Sequence, residues 1–505
     1  MRVVSSIKNA TIGILQTLIS VVLGFFARAV FLQVLGVEYQ GLNSLFMSII
    51  SVLSFAELGL GVAITFNMYP AIAENNTELI KSWVNFFRKC YYVIATIVFV
   101  LGVLLMPFLH LFADASEISS NLYLVFGLFL LDAVFSYLFS YKRTILFANQ
   151  KNYIVSLADL LYSLVLNVVQ ITSLLIFGDF LLFLIIRVSF RLVENGIINL
   201  VANKMFPYIT EKNVVKLDKQ SMKEFFKQMY GMLFHRIGGV FVLWIDGILI
   251  SAFLGLAVLG LYSNYLLLFT AVAGILGQII NGVVASIGDL LTEKDSEKSF
   301  KVYKRLSLLN FWLYALAFIG LYLVAEPFIR LWLSDEFLLP NYILLLMSLN
   351  FYFQGMRGSV SSFKTAAGIF YEDRYVPLVE AIIKIIMSLI LVQFMGLAGI
   401  LLGTLISKIV LFGYSYPKFV YKPLFKRKMR NYYMEQIGYL SLLFIIFVLV
   451  TRILSVLGSD SVLLVLIINS LITLIVTNAI CWLIFKKKEE FQYFKDMFLK
   501  LIIKK

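Results

Sequence analysis

Leu35-Gly36-Val37-Glu38-Tyr39-Gln40-Gly41-Leu42 returns 219 residues later as Leu254-Gly255-Leu256-Ala257-Val258-Leu259-Gly260-Leu261. Each copy joins two long apolar stretches. Two further matches keep nearly the same spacing. Ser140-Tyr141-Lys142 followed by Tyr153 returns as Ser362-Phe363-Lys364 followed by Tyr375, and Arg187 corresponds to Lys408 to within one residue. Matches at one offset and at equivalent places in the hydropathy pattern read as an internal duplication.

The residues around these motifs set the class. A hydrophobic content of 61% and a mean hydropathy of +0.91 exclude an ordinary soluble domain. Stretches near the roughly 20 residues that cross a bilayer fall at 9–35, 42–70, 89–111, 121–147, 153–177, 180–203, 231–254, 258–286, 306–331, 342–362, 376–394, 396–416, 437–457 and 462–485. The expectation is an all-α polytopic membrane protein of about fourteen transmembrane helices. Residues 1–204 form an N-terminal six-helix lobe and 205–230 a cytoplasmic linker with an amphipathic helix. Residues 231–420 form a second six-helix lobe, and 421–505 a terminal helix pair with a basic amphipathic tail. Six crossings are an even number. The lobes therefore share one orientation and are related by a pseudo-twofold along the membrane normal, the arrangement of transporters that rock two bundles about a central cavity.

Charge supports the count. With Met1 cytoplasmic, lysine and arginine collect on inner segments, at Lys81, Arg88 and Lys89, at Lys142, Arg143 and Lys151, and again at Lys426, Arg427, Lys428 and Arg430. The outer segments hold only Arg330 and Arg452. Such asymmetry fixes orientation, with both termini cytoplasmic. The net charge of +14 is thus accounted for by inner loops facing anionic membrane lipids and does not call for nucleic acid. Cys90 and Cys481 have neither metal-ligand nor disulfide-framework spacing. The first apolar stretch is longer than a signal-peptide core and lacks a small-x-small cleavage site, so it is expected to remain as a helix. Outer connections are too short to build a domain. Residues 215–229 and the tail, where Phe491, Phe494, Met497, Phe498 and Leu501 recur at helical spacing, suit the headgroup layer.

Charged side chains facing lipid cost about 2.5–3.5 kcal/mol each on insertion scales. Arg28, Glu57, Asp132, Asp159, Arg187, Arg191, Glu194, Arg236, Asp246, Glu326, Arg357, Glu380, Lys384 and Lys408 fall within or near the spans. Most must therefore face a polar interior or one another. Arg191, Glu194, Glu326, Lys408 and the i, i+4 pair Glu380/Lys384 fit structural ion pairs. Arg28, Glu57, Arg236 and Asp246 lie on the first, second and seventh spans, the inward-facing helices of a two-lobed transporter. Arg28 precedes Leu35 by seven residues and Asp246 precedes Leu254 by eight, so the duplication sets them at one depth, where they could pair and close the cavity. Candidates for receiving an anionic phosphate headgroup are Arg28, Arg236, Arg187 and Arg357, since guanidinium presents a planar fork to phosphate, with His235 beside Arg236. Candidates for gating or ion coupling are Glu57, Asp246, Asp159 and Asp132, the coupling ion being H+ or Na+. No catalytic or phosphate-cradling motif and no metal-ligand spacing appears, and no cofactor is implied. Gly59, Gly61, Gly238, Gly239, Gly274, Gly277 and Gly282 on the presumed inner helices serve either close packing or bending.

Leu35-Gly36-Val37-Glu38-Tyr39-Gln40-Gly41-Leu42, Ser54-Phe55-Ala56-Glu57-Leu58-Gly59-Leu60-Gly61 and Gln150-Lys151-Asn152-Tyr153-Ile154-Val155 together resemble the polysaccharide transport family of the multidrug/oligosaccharidyl-lipid/polysaccharide exporter superfamily. The resemblance runs over essentially the whole chain. It implies a Wzx-type flippase, not an enzyme, carrying undecaprenyl-diphosphate-linked oligosaccharide from the cytoplasmic to the outer leaflet of a bacterial membrane for capsule, exopolysaccharide or O-antigen assembly. By the same resemblance the lumen is cationic, and a polysaccharide polymerase and chain-length machinery are partners. Acidic Asp246 departs from a purely cationic path. A peptidoglycan-precursor flippase or a cation-coupled drug exporter would use the same scaffold. A glycosyltransferase or polymerase would need larger outer loops.

Overall fold

A computed structural model of the chain describes residues 2–57, 60–114, 118–211, 214–281, 284–457 and 460–503. Gly59 and Gly282 lie outside them. The described residues are helical, without strands. They form two compact units, Met1–Ser263 and Asn264–Lys505.

The first unit holds α1 (Arg2–Leu35), α2 (Val37–Leu53), α3 (Leu60–Ala73), α4 (Thr77–Leu105), α5 (Leu122–Leu138), α6 (Ser140–Ala148), α7 (Asn152–Phe177), α8 (Phe180–Met205) and the first part of α9 (Lys219–Asn281). Nine helices of the whole protein are long and apolar enough to cross a bilayer, or ten if α5 and α6, bent by 42°, count as one, all among the described residues. The protein is therefore a multi-pass membrane protein. Several expected spans depart from a single straight helix. The second is interrupted after α2 by a 3-10 turn over Ser54–Glu57, where Ser54 Oγ donates back to the Ile50 carbonyl at 2.7 Å. Glu57 thus sits at a helix break rather than inside a continuous apolar helix. The seventh and eighth are one helical run, α9, kinked at Gly255.

Local chemistry explains the ends. Asn76, Asn121 and Asp179 accept hydrogen bonds from the first-turn amides of α4, α5 and α8, supplying partners that helix starts lack. The stretch expected as an amphipathic linker helix is in large part the opening turns of α9. Its Phe225 is fully buried, 5.9 Å from Trp83 and 5.4 Å from Phe86 of α4 by ring centroids, whereas Phe226 is exposed. One face of this segment therefore docks on protein.

The second unit continues with α10 (Val284–Thr292), α11 (Ser296–Trp332), α12 (Asn341–Ala367), α13 (Val376–Met395) and α14 (Leu397–Ser407). A π-helical stretch over Leu411–Tyr421 leads through the short α15 (Lys422–Phe425) to α16 (Met429–Val456), α17 (Val462–Phe485) and α18 (Glu489–Ile503). Its core at one end is aromatic: Tyr303, Phe363, Tyr421, Phe425 and Tyr432 are all buried together. The tail helix α18 packs back, Phe491 stacking on Trp312 at 5.7 Å and the Arg305 guanidinium covering the Tyr493 ring at 3.8 Å.

Candidate functional site

In the first unit the two copies of the duplicated motif pack against each other. Gly36 and Gly255 both take positive φ, +88° and +87°, which an L side chain rarely adopts. Both copies thereby turn sharply into the next helical segment. A Cβ on Gly41 would fall 2.0 Å from the Leu256 carbonyl oxygen, and one on Gly260 would fall 2.2 Å from the Val37 carbonyl oxygen. The contact is reciprocal, because Val37 and Leu256 each follow the first glycine of their copy. Further along, a Cβ on Gly247 would meet Ser48 Oγ at 2.3 Å. The pairs 37/260, 41/256 and 48/247 run in opposite directions, so α2 and α9 form an antiparallel seam on small residues.

Charged residues gather beside this seam. Arg28 Nη1 donates to Ser263 Oγ at 3.1 Å, and Gln40 Nε2 donates to the same oxygen at 3.2 Å. Asp246 is buried and acts electrostatically on Tyr262, the residue before Ser263. The acid and the guanidinium suggested by the duplication thus converge on adjacent residues of α9. Nearer the start of α9, Glu57 lies against the Tyr137 hydroxyl, with Tyr91 and the Arg236 guanidinium acting on it as well. His235 is half-buried and Arg236 exposed.

A second polar centre lies between α5, α6, α7 and α8. Asp132 accepts from Arg187 Nε at 3.0 Å and from Arg191 Nε at 3.1 Å. Arg191 Nη1 reaches Glu194 at 2.7 Å, Glu194 meets Arg143 Nη2 at 2.5 Å, and Arg143 Nη1 reaches Asp159 at 2.7 Å. Six side chains form one ladder of alternating sign, Arg187–Asp132–Arg191–Glu194–Arg143–Asp159. Its formal charges cancel, as ions withdrawn from water require. The Arg191 guanidinium also covers the Tyr162 ring at 5.0 Å, and that of Arg187 the Phe129 ring at 5.2 Å. A cavity of about 420 Å³ opens on Arg143, Asp159, Tyr162, Arg191 and Glu194.

The second unit carries a counterpart on α12, α13 and the residues after α14. Arg357 donates to the Tyr416 hydroxyl at 3.1 Å and to Gln354 at 3.0 Å, and lies 3.9 Å from Glu380. Lys364 pairs with Asp373, which also accepts from Ser415 at 2.9 Å, and Lys408 Nζ donates to the Asn350 carbonyl at 2.7 Å. Glu380 also feels the charges of Lys384 and Lys408. Lys408 thus stands in a buried charge cluster as Arg187 does in the first unit, as the duplication implies.

The structure joins residues that the sequence reading kept apart. Arg187, Asp132 and Asp159, singled out as functional, share the ladder with Arg191 and Glu194, read as structural, and with Arg143, counted among the inner-loop basic residues. The spacing of Arg187, Arg191 and Glu194, at i, i+4 and i+7 on one helix, was the available signal. Close packing does not account for all the glycines: among the described residues a Cβ on Gly239 or Gly277 would meet nothing within 4 Å. Among the described residues no cluster of three or more His, Cys, Asp or Glu could hold a metal ion.

The described residues form an all-helical multi-pass fold with buried charge centres in both units, and solved structures of membrane transporters share that fold. The lipid II flippase MurJ in an inward closed conformation matches over 93% of this chain and 98% of its own, with a TM-score of 0.61 and 17% identity. An inward-facing multidrug resistance MATE family transporter of the MOP superfamily matches over 79% and 96%, with a TM-score of 0.59 and 12% identity. The Vibrio cholerae MATE transporter VcmN, in a point-mutant form, matches over 85% and 100%, with a TM-score of 0.56 and 16% identity. At these identities the likeness is one of fold. No protein of curated function matches the sequence. Residues 6–285 match the polysaccharide biosynthesis protein family, and the chain belongs to it.

Proposed function

We propose that the protein is a flippase that moves an undecaprenyl-diphosphate-linked oligosaccharide from the cytoplasmic to the outer leaflet of a bacterial plasma membrane, with both termini cytoplasmic. The observation that carries the reading is the reciprocal seam between the duplicated motifs, with Arg28 and Asp246 set against adjacent residues beside it. A seam whose closest contacts fall on glycine and serine suits a closure that must part and re-form. On the expected orientation it lies toward the outer face.

In this reading Arg28 and Arg236 receive the diphosphate by charge-assisted hydrogen bonds while the lipid tail stays in the bilayer. Glu57, set against Tyr137 and within reach of the Arg236 charge, is the candidate coupling group for H+ or Na+. Arrival of an anion at Arg236 would alter the field at Glu57 and so link substrate to ion. A polysaccharide polymerase and chain-length machinery would use the delivered units. The biosynthetic family supports an anionic glycolipid cargo over a cationic drug.

The test is cellular. Loss of the protein should leave an identified lipid-linked oligosaccharide on the inner leaflet, and wild type should clear it. Arg28→Ala or Arg236→Ala, expressed at equal level, should not. Full clearance by both variants would remove the binding assignment, and absence of accumulation would remove the cargo.

A further inference from the structure

A groove in the first unit joins an apolar floor to a cationic head. Tyr92, Thr96 and Phe99 of α4 and Val134, Leu138 and Phe139 at the end of α5 border about 430 Å³ of open space. Tyr92 and Phe99 are each more than two-fifths exposed. At one end of the groove Tyr92 and Arg88 both act on Tyr141, and Arg88 donates to Asn85 at 2.8 Å. Lys142 is buried, bonded to Asn203, and close enough to Arg88 for the two charges to act on each other. Among the described residues neither cation has a carboxylate within 4 Å, although Lys81, Arg143, Arg187 and Arg191 of the same unit all do. Arg88 is exposed and Lys142 is buried beside it, so together they present an uncompensated positive charge that an anion can meet.

We propose that this groove binds an anionic glycerophospholipid, its phosphate held by Arg88 with the Tyr141 hydroxyl beside the buried charge of Lys142, and one acyl chain lying along Tyr92, Thr96 and Phe99. The dimensions favour an ordinary membrane lipid over a long polyprenyl chain. Gly102 shuts the far end of the groove, since a Cβ there would lie 2.5 Å from Leu130 Cδ1. Fourteen helical steps lead from Arg88 to Gly102, about 20 Å at 1.5 Å each. One leaflet of hydrocarbon is about 15 Å deep. The site lies on exposed faces of α4 and α5, apart from the seam and from the charge ladder, and does not depend on what is transported.

Native mass spectrometry of the full-length protein tests this, with phosphatidylglycerol, phosphatidylcholine of the same acyl chains, and a polyprenyl monophosphate as separate arms. Wild type should retain phosphatidylglycerol in preference to the other two. Arg88→Gln should weaken that retention about tenfold, the loss expected for one charge-assisted hydrogen bond, and Arg88→Lys should keep most of it. Thr96→Trp, at an exposed position, should fill the groove and lower retention while the protein stays folded. Equal retention of both phospholipids, a preference unchanged by Arg88→Gln or Thr96→Trp, or tighter polyprenyl phosphate would each overturn the proposal.

Discussion

Gly41 and Gly260 hold the same place in two copies of one motif, and each lies under a carbonyl of the other copy, leaving no room for a side chain. Gly41→Ala must therefore push α2 away from α9. The expected cost is about 1–3 kcal/mol, as for overpacked cores, with a lower thermal midpoint in detergent. Gly239→Ala, where a Cβ meets nothing within 4 Å, should be neutral or stabilising by up to about 1 kcal/mol. Equal effects at the two positions would show that the seam does not pack this tightly.

Within the ladder the arginines are not equivalent. Arg191 serves both Asp132 and Glu194, whereas Arg187 shares Asp132 with Arg191. Removing one partner of a buried pair costs about 3–5 kcal/mol. Both variants leave each carboxylate one cation, Arg187 or Arg191 on Asp132 and Arg143 on Glu194, so both should fall below that figure, with Arg191→Met the costlier because it breaks two pairs and Arg187→Met only one. Thermal or denaturant unfolding of the two variants measures the difference, and the reverse ranking would contradict a shared Asp132.

The opening of α9 is held by an aromatic anchor. Phe225→Ala should free this segment from Trp83 and Phe86, at a cost of about 3–5 kcal/mol for a buried phenylalanine. Limited trypsin digestion should then cut sooner at Lys223 and Lys227. Phe226→Ala, whose ring is exposed, should leave the digestion pattern as in wild type.

Ser263 accepts from both Arg28 and Gln40. Ser263→Ala would remove one acceptor from half-buried Arg28 and one from buried Gln40, which keeps its bond to Ser44 at 3.0 Å, costing about 1 kcal/mol. Ser263→Thr keeps the hydroxyl and should restore most of the lost stability. Failure of threonine to recover any of it would mean that the oxygen is not what the two side chains require.

Hydropathy and charge asymmetry made the membrane class legible because both follow from solvent alone, and the duplication marked the two motifs, although their packing against each other shows only in the fold. What stayed hidden depends on rotation of helices about their axes. Arg143 reads as a loop cation until α6 turns it toward Asp159 and Glu194. Glu57 reads as buried mid-helix because no proline announces the 3-10 break at Ser54. Phe225 and Phe226 are neighbours of one type, and only the packing of α4 decides which is buried. The groove beneath Arg88 was likewise unreadable, since it exists only where α4 and α5 diverge below Gly102.

The central claim is that the guanidinium groups of Arg28 and Arg236 let a phosphorylated sugar head cross the bilayer without covalent change. Purified protein in vesicles loaded on one side with a fluorescent diphosphate-linked oligosaccharide lipid measures this directly. Wild type should expose the label on the opposite side faster than empty vesicles do, and Arg28→Ala should return the rate to that of empty vesicles. Equal rates in protein-containing and empty vesicles, or full activity of Arg28→Ala, would contradict the account.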